Sequence, residues 1–204
     1  MTGPEIFNFD QGSDEWLSIR SGMPTASEFR HVIAKKGPRG GVPAGRQKLL
    51  WRLAAEQITG EPERTYCGPD MLRGKEREAE ARSLYALLKD ADPVLVGFIR
   101  NGNCGCSPDA LIGADGMLEI KDAIGSIQIE RLLAGTLPPE HVAQCQGALM
   151  VAEREWLDFM SYCRAMPPLI VRVYRDEPYV NALRADVAEF VDELDALVAQ
   201  IRSM

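Results

Sequence analysis

Helical spacing of apolar residues dominates the first ninety positions of the chain. The pattern predicts helices over residues 13–20, 25–36, 49–60 and 69–88. The stretch between the second and third helices, residues 37–45, is too rich in glycine and proline for regular structure, so we expect a mobile basic loop there. In the fourth helix we expect the core contacts to be Leu72, Ala79, Leu84 and Leu87.

After Pro93 the helical spacing of apolar residues gives way to short apolar runs of the kind that form strands. We predict strands over residues 94–99, 110–112, 117–121, 156–162 and 169–174, with a turn at 114–116, and further helices over 138–152 and 179–201. The last helix is amphipathic, and its apolar side carries Phe190, Val191, Leu194, Leu197, Val198 and Ile201. This order of elements predicts an α/β or α+β layer architecture with a single core and one domain spanning residues 1–204.

Composition places the chain among ordinary globular proteins. Its 204 residues are 46% hydrophobic and 26% charged, and they include no apolar run approaching the roughly 18 residues that span a bilayer. The first ten residues lack the basic start and apolar stretch of a secretory signal, so we expect a cytoplasmic protein without a membrane partner. The five cysteines are an odd number in a chain of this length, and we expect free thiols, without disulfide bonds or a metal–thiolate site.

Charge is distributed unevenly along the chain. The net charge is −7, which on average repels nucleic acid. Residues 30–52 nevertheless contain seven basic side chains and no acidic one, which leaves −14 on the rest. A local cationic stripe of this kind is compatible with a solvated helix face and loop, or with a surface that binds a polyanion.

Two carboxylates and a lysine are spaced so that they can share one small volume. Glu119 and Lys121 lie two residues apart on a predicted strand, so both side chains leave the same face of the sheet. If Asp109 lies on the partner strand of the hairpin, it converges on that face. Hard oxygen ligands suit Mg²⁺, and Lys121 would help to orient a water molecule. On these residues alone, a surface ion pair remains the alternative.

Four ordered blocks of sequence resemble a known family. Pro108-Asp109 followed by Glu119-Ile120-Lys121 is similar to the PD-(D/E)xK nuclease superfamily. Residues 11–35, with Gln11 to Trp16, Arg20 and Thr25-Ala26-Ser27, resemble the amino-terminal motif of the YqaJ viral recombinase family, the family of phage lambda exonuclease. Residues 74–82 resemble its G-x-x-x-E-x-x-A helix, and residues 144–150 its Q-x-Q-x-x-M helix. The chain departs from the usual pattern at Ala110 and at His141, and neither departure removes a carboxylate or the lysine.

The resemblance implies a restriction-endonuclease-like core, in which a central mixed β-sheet is flanked by helices, and a metal-dependent active site. It implies that the catalytic and metal-binding groups are Asp109, Glu119, the backbone carbonyl of Ile120, Lys121, Glu78 and Gln144. Glu78 lies four residues after Gly74, as the motif requires, whereas Glu76 and Glu80 are also compatible with a solvated acidic face. One or two Mg²⁺ ions would bind, with Mn²⁺ a possible substitute.

The resemblance also implies a set of DNA contacts. Arg20, Thr25 and Ser27 match the part of the pattern that grips a 5′-terminal phosphate, although the two hydroxyl residues are equally readable as helix caps. Met71 would insert between the bases where the two DNA strands separate; the alternative is that it packs in the hydrophobic core. The remaining expected contacts are Lys35, Lys36, Arg39, Arg46 and Gln146, and a core amide is the alternative for the glutamines.

The function implied by the resemblance is a 5′-to-3′ exonuclease that degrades one strand of linear double-stranded DNA to 5′-mononucleotides and leaves 3′ single-stranded tails. A phage or prophage recombination system would use those tails with a single-strand annealing protein, and the enzyme would be a ring-shaped homotrimer. The alternatives are an endonuclease of the same superfamily, a DNA-end-binding protein without turnover, and an iron–sulfur nuclease suggested by the cysteines.

Overall fold

The computed structural model describes residues 3–34, 41–63 and 69–204, and of residues 69–76 it describes the backbone only. The chain forms eight strands and seven helices within those ranges. The strands are β1 (Glu5–Phe7), β2 (Pro93–Val94), β3 (Phe98–Asn101), β4 (Cys104–Cys106), β5 (Ala110–Ile112), β6 (Gly116–Asp122), β7 (Trp156–Tyr162) and β8 (Leu169–Tyr174). The helices are α1 (Asp14–Arg20), α2 (Phe29–Val32), α3 (Ala44–Thr59), α4 (Pro69–Lys89), α5 (Gly125–Ala134), α6 (Pro139–Ala152) and α7 (Glu177–Arg202).

A five-stranded mixed sheet forms the centre, in the order β2-β5-β6-β7-β8. Only β6 and β7 are parallel, because the chain between them crosses over through α5 and α6. A smaller antiparallel sheet has the order β1-β3-β4. The predicted architecture, a central mixed sheet flanked by helices, is therefore confirmed.

Buried residues form two clusters, so the prediction of a single core is wrong. The larger cluster lies between one face of the five-stranded sheet and helices α2, α3, α6 and α7. The smaller one lies on the other face, where Ala81 and Tyr85 of α4 pack against Leu118 and Met160. Alternating side chains of β6 and β7 supply both, because successive residues of a strand point to opposite faces.

Helix α4 uses a different stripe from the one predicted. Ala79 and Leu87 are exposed, and Leu84 is only partly buried. Tyr85 instead donates to the Oδ2 atom of Asp158 at 2.8 Å, and Asp158 also accepts two hydrogen bonds from Arg172. A buried carboxylate requires such partners, and this network fixes the helix on the sheet. The side chain of Leu72 lies outside the described part.

The predicted strand over residues 94–99 is two strands, β2 and β3, which belong to different sheets. Gly97 lies between them and donates its backbone N–H to Phe7 at 3.0 Å. A Cβ atom on Gly97 would lie 2.1 Å from the carbonyl oxygen of Phe9, so only glycine permits this approach. Strands β1 and β4 and helix α5 were not predicted.

Local capping signals place the elements that carry the site residues. Ser13 accepts from the backbone N–H of Trp16 at 3.2 Å at the start of α1. Thr25 and Glu28 form a reciprocal capping box around a 3₁₀ turn, Ala26–Glu28, which leads directly into α2. Regular structure in the predicted second helix ends at Val32.

Helices α2 and α6 approach closely at Gly147. A Cβ atom on this residue would lie 2.3 Å from Cδ2 of Phe29, whose side chain is fully buried. The missing side chain lets Phe29 lie directly on the helix backbone. This contact sets the distance between the two segments that carry Ser27 and Gln144.

Replacing Gly147 by alanine is therefore expected to destabilise the protein by about 1–3 kcal/mol, because the buried ring of Phe29 cannot move away. Elsewhere in a helix the same substitution is usually stabilising. Urea unfolding measures the effect. Gly125→Ala is the control, because the nearest atom to its Cβ would be 3.9 Å away. Equal stability of the two variants would contradict the packing argument.

Candidate active site

One cavity of about 220 Å³ joins two groups of residues that are far apart in sequence. The predicted catalytic residues that line it are Asp109, Glu119, Lys121 and Gln144. The predicted phosphate ligands that line it are Arg20, Thr25 and Ser27. The fold therefore brings together seven side chains that the sequence singled out.

Antiparallel pairing of β5 with β6 places Asp109 beside Glu119. Ala110 pairs with Leu118, and Asp109, one residue earlier, donates its backbone N–H to Leu118 at 3.0 Å. Asp109 therefore enters β5 beside this part of β6, and its side chain lines the same cavity as that of Glu119. The Oδ2 atom of Asp109 accepts from the backbone N–H of Ile120 at 2.5 Å. The expected convergence across the hairpin is thus present.

Glu119 is the centre of the polar contacts on this face. Its Oε1 atom lies 2.6 Å from Nζ of Lys121 and accepts from Nε2 of Gln144 at 2.5 Å. The glutamate is buried, so these contacts replace the water that its charge has lost. Gln144 comes from α6, which covers this face of the sheet.

Negative charge is concentrated around Asp109. Burial, the charge of Glu119 and the charge of Glu78 raise the pKa of Asp109 well above its ordinary value, although the N–H of Ile120 and the ammonium of Lys121 oppose this rise. Glu78 therefore acts on Asp109 from α4. Its own Oε1 atom accepts from Arg82 at 3.1 Å, and Glu78 lines a neighbouring cavity with Arg82 and Gln11.

Lys121 carries a positive charge in this setting. Burial by itself lowers the pKa of Lys121, but the contact with Glu119 and the charge of Asp109 together raise it above the ordinary lysine value. The ammonium group consequently remains protonated at neutral pH, where it donates hydrogen bonds and stabilises negative charge.

The donor set fits a hard divalent cation. Burial and the charge of Glu119 raise the pKa of Asp109, so the two carboxylates lie together without enough positive charge between them, and a bound cation would supply it. Among the described residues, no three side chains of His, Cys, Asp or Glu lie close enough to hold an ion. A metal here would take Asp109, Glu119 and the carbonyl of Ile120, with water or substrate for the rest, as Mg²⁺ commonly does.

Arg20, Thr25 and Ser27 form a basic corner of the cavity. The guanidinium of Arg20 stacks on the ring of Trp16 at 4.2 Å and lies 3.4 Å from Oγ1 of Thr25. Thr25 and Ser27 are joined hydroxyl to hydroxyl at 3.2 Å. A planar donor group next to two hydroxyls is an arrangement that suits a phosphate.

A second layer of charges supports this corner. The Oε2 atom of Glu28 accepts from the hydroxyl of Thr25 at 3.0 Å, and Arg52 bridges Glu28 and Glu56. Burial, followed by the positive charge of Arg52, lowers the pKa of Arg20, while Glu28 and Glu56 raise it. An anion bound at Arg20 would relieve the cost of burying that charge.

Four further residues of the cavity region escaped the sequence prediction. Trp16 donates its Nε1–H to Ser107 Oγ at 3.0 Å and to the carbonyl of Gly97 at 2.9 Å. Gln11 donates to the carbonyl of Pro108 at 3.1 Å. Gln11 and Trp16 belong to the amino-terminal motif, and Ser107 precedes Pro108-Asp109, so their positions were the available signal. His141, one turn before Gln144 on α6, is the fourth.

Two predicted DNA contacts do not reach the cavity. Arg46 is buried, where it pairs with Glu193 at 2.8 Å and donates to the carbonyl of Val32. Gln146 is also buried and bridges the carbonyl of Tyr174 and the backbone N–H of Asp176. These polar groups are satisfied inside the fold, which favours a structural role over the predicted DNA contact. Gln146 is the core amide that was the alternative.

Glu80, two residues after Glu78 on α4, does not join the cavity. Glu80 accepts from Tyr162 at 3.2 Å and pairs with the exposed Arg164, so it belongs to a solvated ionic face. The predicted contacts Lys35, Lys36 and Arg39, and the side chains of Met71 and Glu76, lie outside the described residues.

Two thiols, Cys106 and Cys145, lie near Asp109 and Glu119, whose surroundings are called the acidic face below. Cys104, Cys106, Cys145 and Cys163 are free thiols, as expected, and Cys67 lies outside the described residues. Burial and the charge of Glu119 raise the pKa of Cys145 to about 12, against the opposing effect of Lys121. Burial also raises the pKa of Cys106, which lines the cavity.

Comparison with known proteins gives consistent matches. The YqaJ-like viral recombinase domain matches residues 15–155. An alkaline exonuclease, LHK-Exo, from Laribacter hongkongensis is similar over 94% of this chain and 97% of its own, with 29% identity and a TM-score of 0.83. Its complex with dAMP gives a TM-score of 0.84 at the same identity and coverage.

A more distant structure shares the fold. A phage-related exonuclease from Haemophilus somnus 129PT matches 91% of this chain and 99% of its own, with 14% identity and a TM-score of 0.66. No curated protein sequence matches significantly. None of the described helices is both long and apolar enough to cross a membrane.

Asp109→Asn is expected to stabilise the metal-free protein at alkaline pH. The folded pKa of Asp109 lies above the unfolded value, so the folded state holds a proton that the unfolded chain releases above about pH 4. The free energy of unfolding of the natural protein therefore decreases as pH rises towards the folded pKa of Asp109. The variant has no titrating group at this position, so its stability does not show this decrease. Urea unfolding in chelator at about pH 5 and pH 8 should show a difference of about 1 kcal/mol. The exposed Asp92→Asn is the control, and an unchanged pH dependence in Asp109→Asn would contradict the assignment.

Proposed function

Because this chain belongs to the YqaJ-like viral recombinase family, we propose that it is a DNA exonuclease that removes 5′-mononucleotides from one strand of linear double-stranded DNA. The proposal includes 5′-to-3′ polarity, dependence on Mg²⁺ or Mn²⁺, and 3′ single-stranded tails as products. It draws on the similarity to LHK-Exo and on the geometry of the cavity.

The observation that carries the proposal is the shared cavity. The basic corner of Arg20, Thr25 and Ser27 lies in the same 220 Å³ space as Asp109 and Glu119. Only a strand end bears a terminal phosphate, so a corner that binds this group selects ends. The adjacent acidic face then meets the next phosphodiester bond along the strand.

Each residue has a chemical part in hydrolysis. With a raised pKa, Lys121 does not act as a base at neutral pH but orients the attacking water and stabilises it as hydroxide. Gln144, held against Glu119, offers its amide to the same water or to the scissile phosphate. A bound Mg²⁺ would polarise the phosphate and lower the pKa of water.

The bond changes account for repeated action on one strand. The water oxygen forms a bond to phosphorus, and the bond from phosphorus to the 3′ oxygen of the terminal nucleotide breaks. The 3′ oxygen leaves with a proton, which gives a 5′-mononucleotide. The shortened strand again carries a 5′-phosphate, so the new end fits the same basic corner.

The relative solved with dAMP supports this choice of product. dAMP is a deoxynucleoside monophosphate, the chemical class that end-directed hydrolysis would release. Partnership with a single-strand annealing protein and assembly into a homotrimeric ring stay predictions from the family resemblance.

Three other functions can be distinguished from the proposed one by experiment. An endonuclease of the same superfamily would use the same acidic face but would not need the basic corner. A DNA-end-binding protein without turnover would need the corner but not the costly juxtaposition of Asp109 and Glu119, so chelator-sensitive digestion would argue against it. A colourless purified protein would argue against an iron–sulfur nuclease.

Lys121→Ala is expected to reduce digestion of a 5′-phosphorylated linear duplex with Mg²⁺ by roughly 10²-fold or more, because the attacking water loses its ammonium partner. Release of mononucleotides measures the rate. The matched control is Lys89→Ala, an exposed lysine at the end of α4. Undiminished digestion by Lys121→Ala would remove the catalytic assignment.

Substrate topology tests the direction from ends. The natural protein is expected to digest linear duplex and to leave covalently closed circular duplex intact, since a circle presents no terminal phosphate. Gel analysis of both forms in one reaction provides the internal control. Equal cleavage of the circle would overturn the exonuclease proposal in favour of an endonuclease.

A further inference from the structure

Two of the segments that line the catalytic cavity carry further side chains next to it. Ser27 lines the cavity, and Arg30 follows it by three residues at the start of α2. Gln144 lines the cavity from α6, and His141 precedes it by three residues. A spacing of three returns a side chain to the same side of a helix, so Arg30 and His141 extend the two walls. Arg30 is exposed.

Helix α5 contributes a third group to this extension. Arg131 lies with one guanidinium nitrogen 3.2 Å from Nε2 of His141, and it donates with another to Oγ of Ser161 at 3.1 Å. Ser161 pairs in register with Lys121 on the neighbouring strand. The ring of His141 lies 5.0 Å from that of Phe159, the register partner of Glu119. The extension therefore rests directly on the strands of the acidic face.

Charge in this region is mainly positive. Burial, followed by the charges of Lys121 and Arg131 and then of Arg30, lowers the pKa of His141 to about 4, while Glu140 opposes this. Three cations from three elements thus act on one neutral imidazole. Glu140 is exposed and lies 3.8 Å from Arg131 and 3.9 Å from His141, so this single, solvent-screened carboxylate offsets only part of the positive charge. The balance favours an anion.

We propose that Arg30, Arg131 and His141 form a second phosphate site, which binds the DNA backbone phosphate immediately beyond the scissile one. The proposal rests on the exonuclease function proposed above. Arg20, Thr25 and Ser27 line the cavity where the terminal phosphate would bind, and Arg30 extends the same segment beyond them. The strand would then be held at its terminal phosphate and at the phosphate beyond the scissile one. The neutral imidazole holds Arg131 in place and adds no charge.

Anchors on both sides of the scissile phosphate have a functional consequence. A strand held only at its terminal phosphate can rotate about it, whereas a strand held at two phosphates presents the bond between them. The second site would therefore fix the length of the released product at one nucleotide.

The test combines a substrate change with a protein change. A 5′-phosphorylated duplex carries one neutral methylphosphonate in place of the phosphate immediately beyond the scissile one, and release of the first nucleotide is timed with Mg²⁺. The natural protein is expected to lose about tenfold in rate on this duplex. Arg30→Ala is expected to lose a similar factor on the unmodified duplex and little more on the methylphosphonate, because the partner is already absent.

Control variants keep the result decisive. Arg184→Ala removes an exposed arginine from α7, outside the cavity lining, and is expected to behave as the natural protein on both duplexes. Glu140→Gln frees Arg131 from its acidic neighbour and is expected to increase the sensitivity to the methylphosphonate. Neither substitution changes a residue of the catalytic cavity.

The outcomes separate the two proposals. If the methylphosphonate slows Arg30→Ala and the natural protein by the same factor, or slows neither, the second phosphate site is overturned while digestion of unmodified duplex keeps the exonuclease function. If the natural protein releases no nucleotide from unmodified duplex, both proposals are overturned.

Discussion

The close pairing of two carboxylates across one β-hairpin is the constraint on which the rest of this structure depends. Backbone hydrogen bonding between β5 and β6 forces Asp109 and Glu119 together, and burial prevents water from screening them. Three surrounding polar groups reduce the repulsion between the two carboxylates: Lys121 and Gln144 contact Glu119, and the backbone N–H of Ile120 donates to Asp109. A fold without a use for concentrated negative charge gains nothing from this arrangement.

The polar groups depend in turn on packing that lies outside the cavity. Gly147 lets Phe29 bring the capped turn that carries Ser27 against α6, and α6 carries Gln144 to Glu119. On the other face of the sheet, Asp158 with Tyr85 and Arg172 holds α4, from which Glu78 acts on Asp109. The chemistry is therefore positioned from both faces of one sheet.

The sequence predicted the fold class and the hairpin because their signals are local. Alternation in β6 and the two-residue spacing of Glu119 and Lys121 need no knowledge of distant residues. The three-residue strands β1 and β4 are too short to show a clear period, and they form by pairing with β3. Helix α5 is longer, but Gln128 is its only buried residue, so its apolar positions do not mark a packed face. The burial of Arg46 and Gln146 could not be predicted for a related reason: a polar residue is expected at the surface until tertiary structure supplies a buried partner such as Glu193 or Tyr174.

The thiols beside the acidic face have a consequence for metal selectivity. Ions such as zinc or cadmium readily bind sulfur, but they bind the thiolate. Cys145 keeps its proton because burial, and after it the charge of Glu119, raises the pKa of the thiol. Cys106 is held in the same state. Burial of the thiols, assisted by the charge of Glu119, thus keeps the nearby sulfur atoms from competing for a soft ion at a site whose carboxylates attract a hard one.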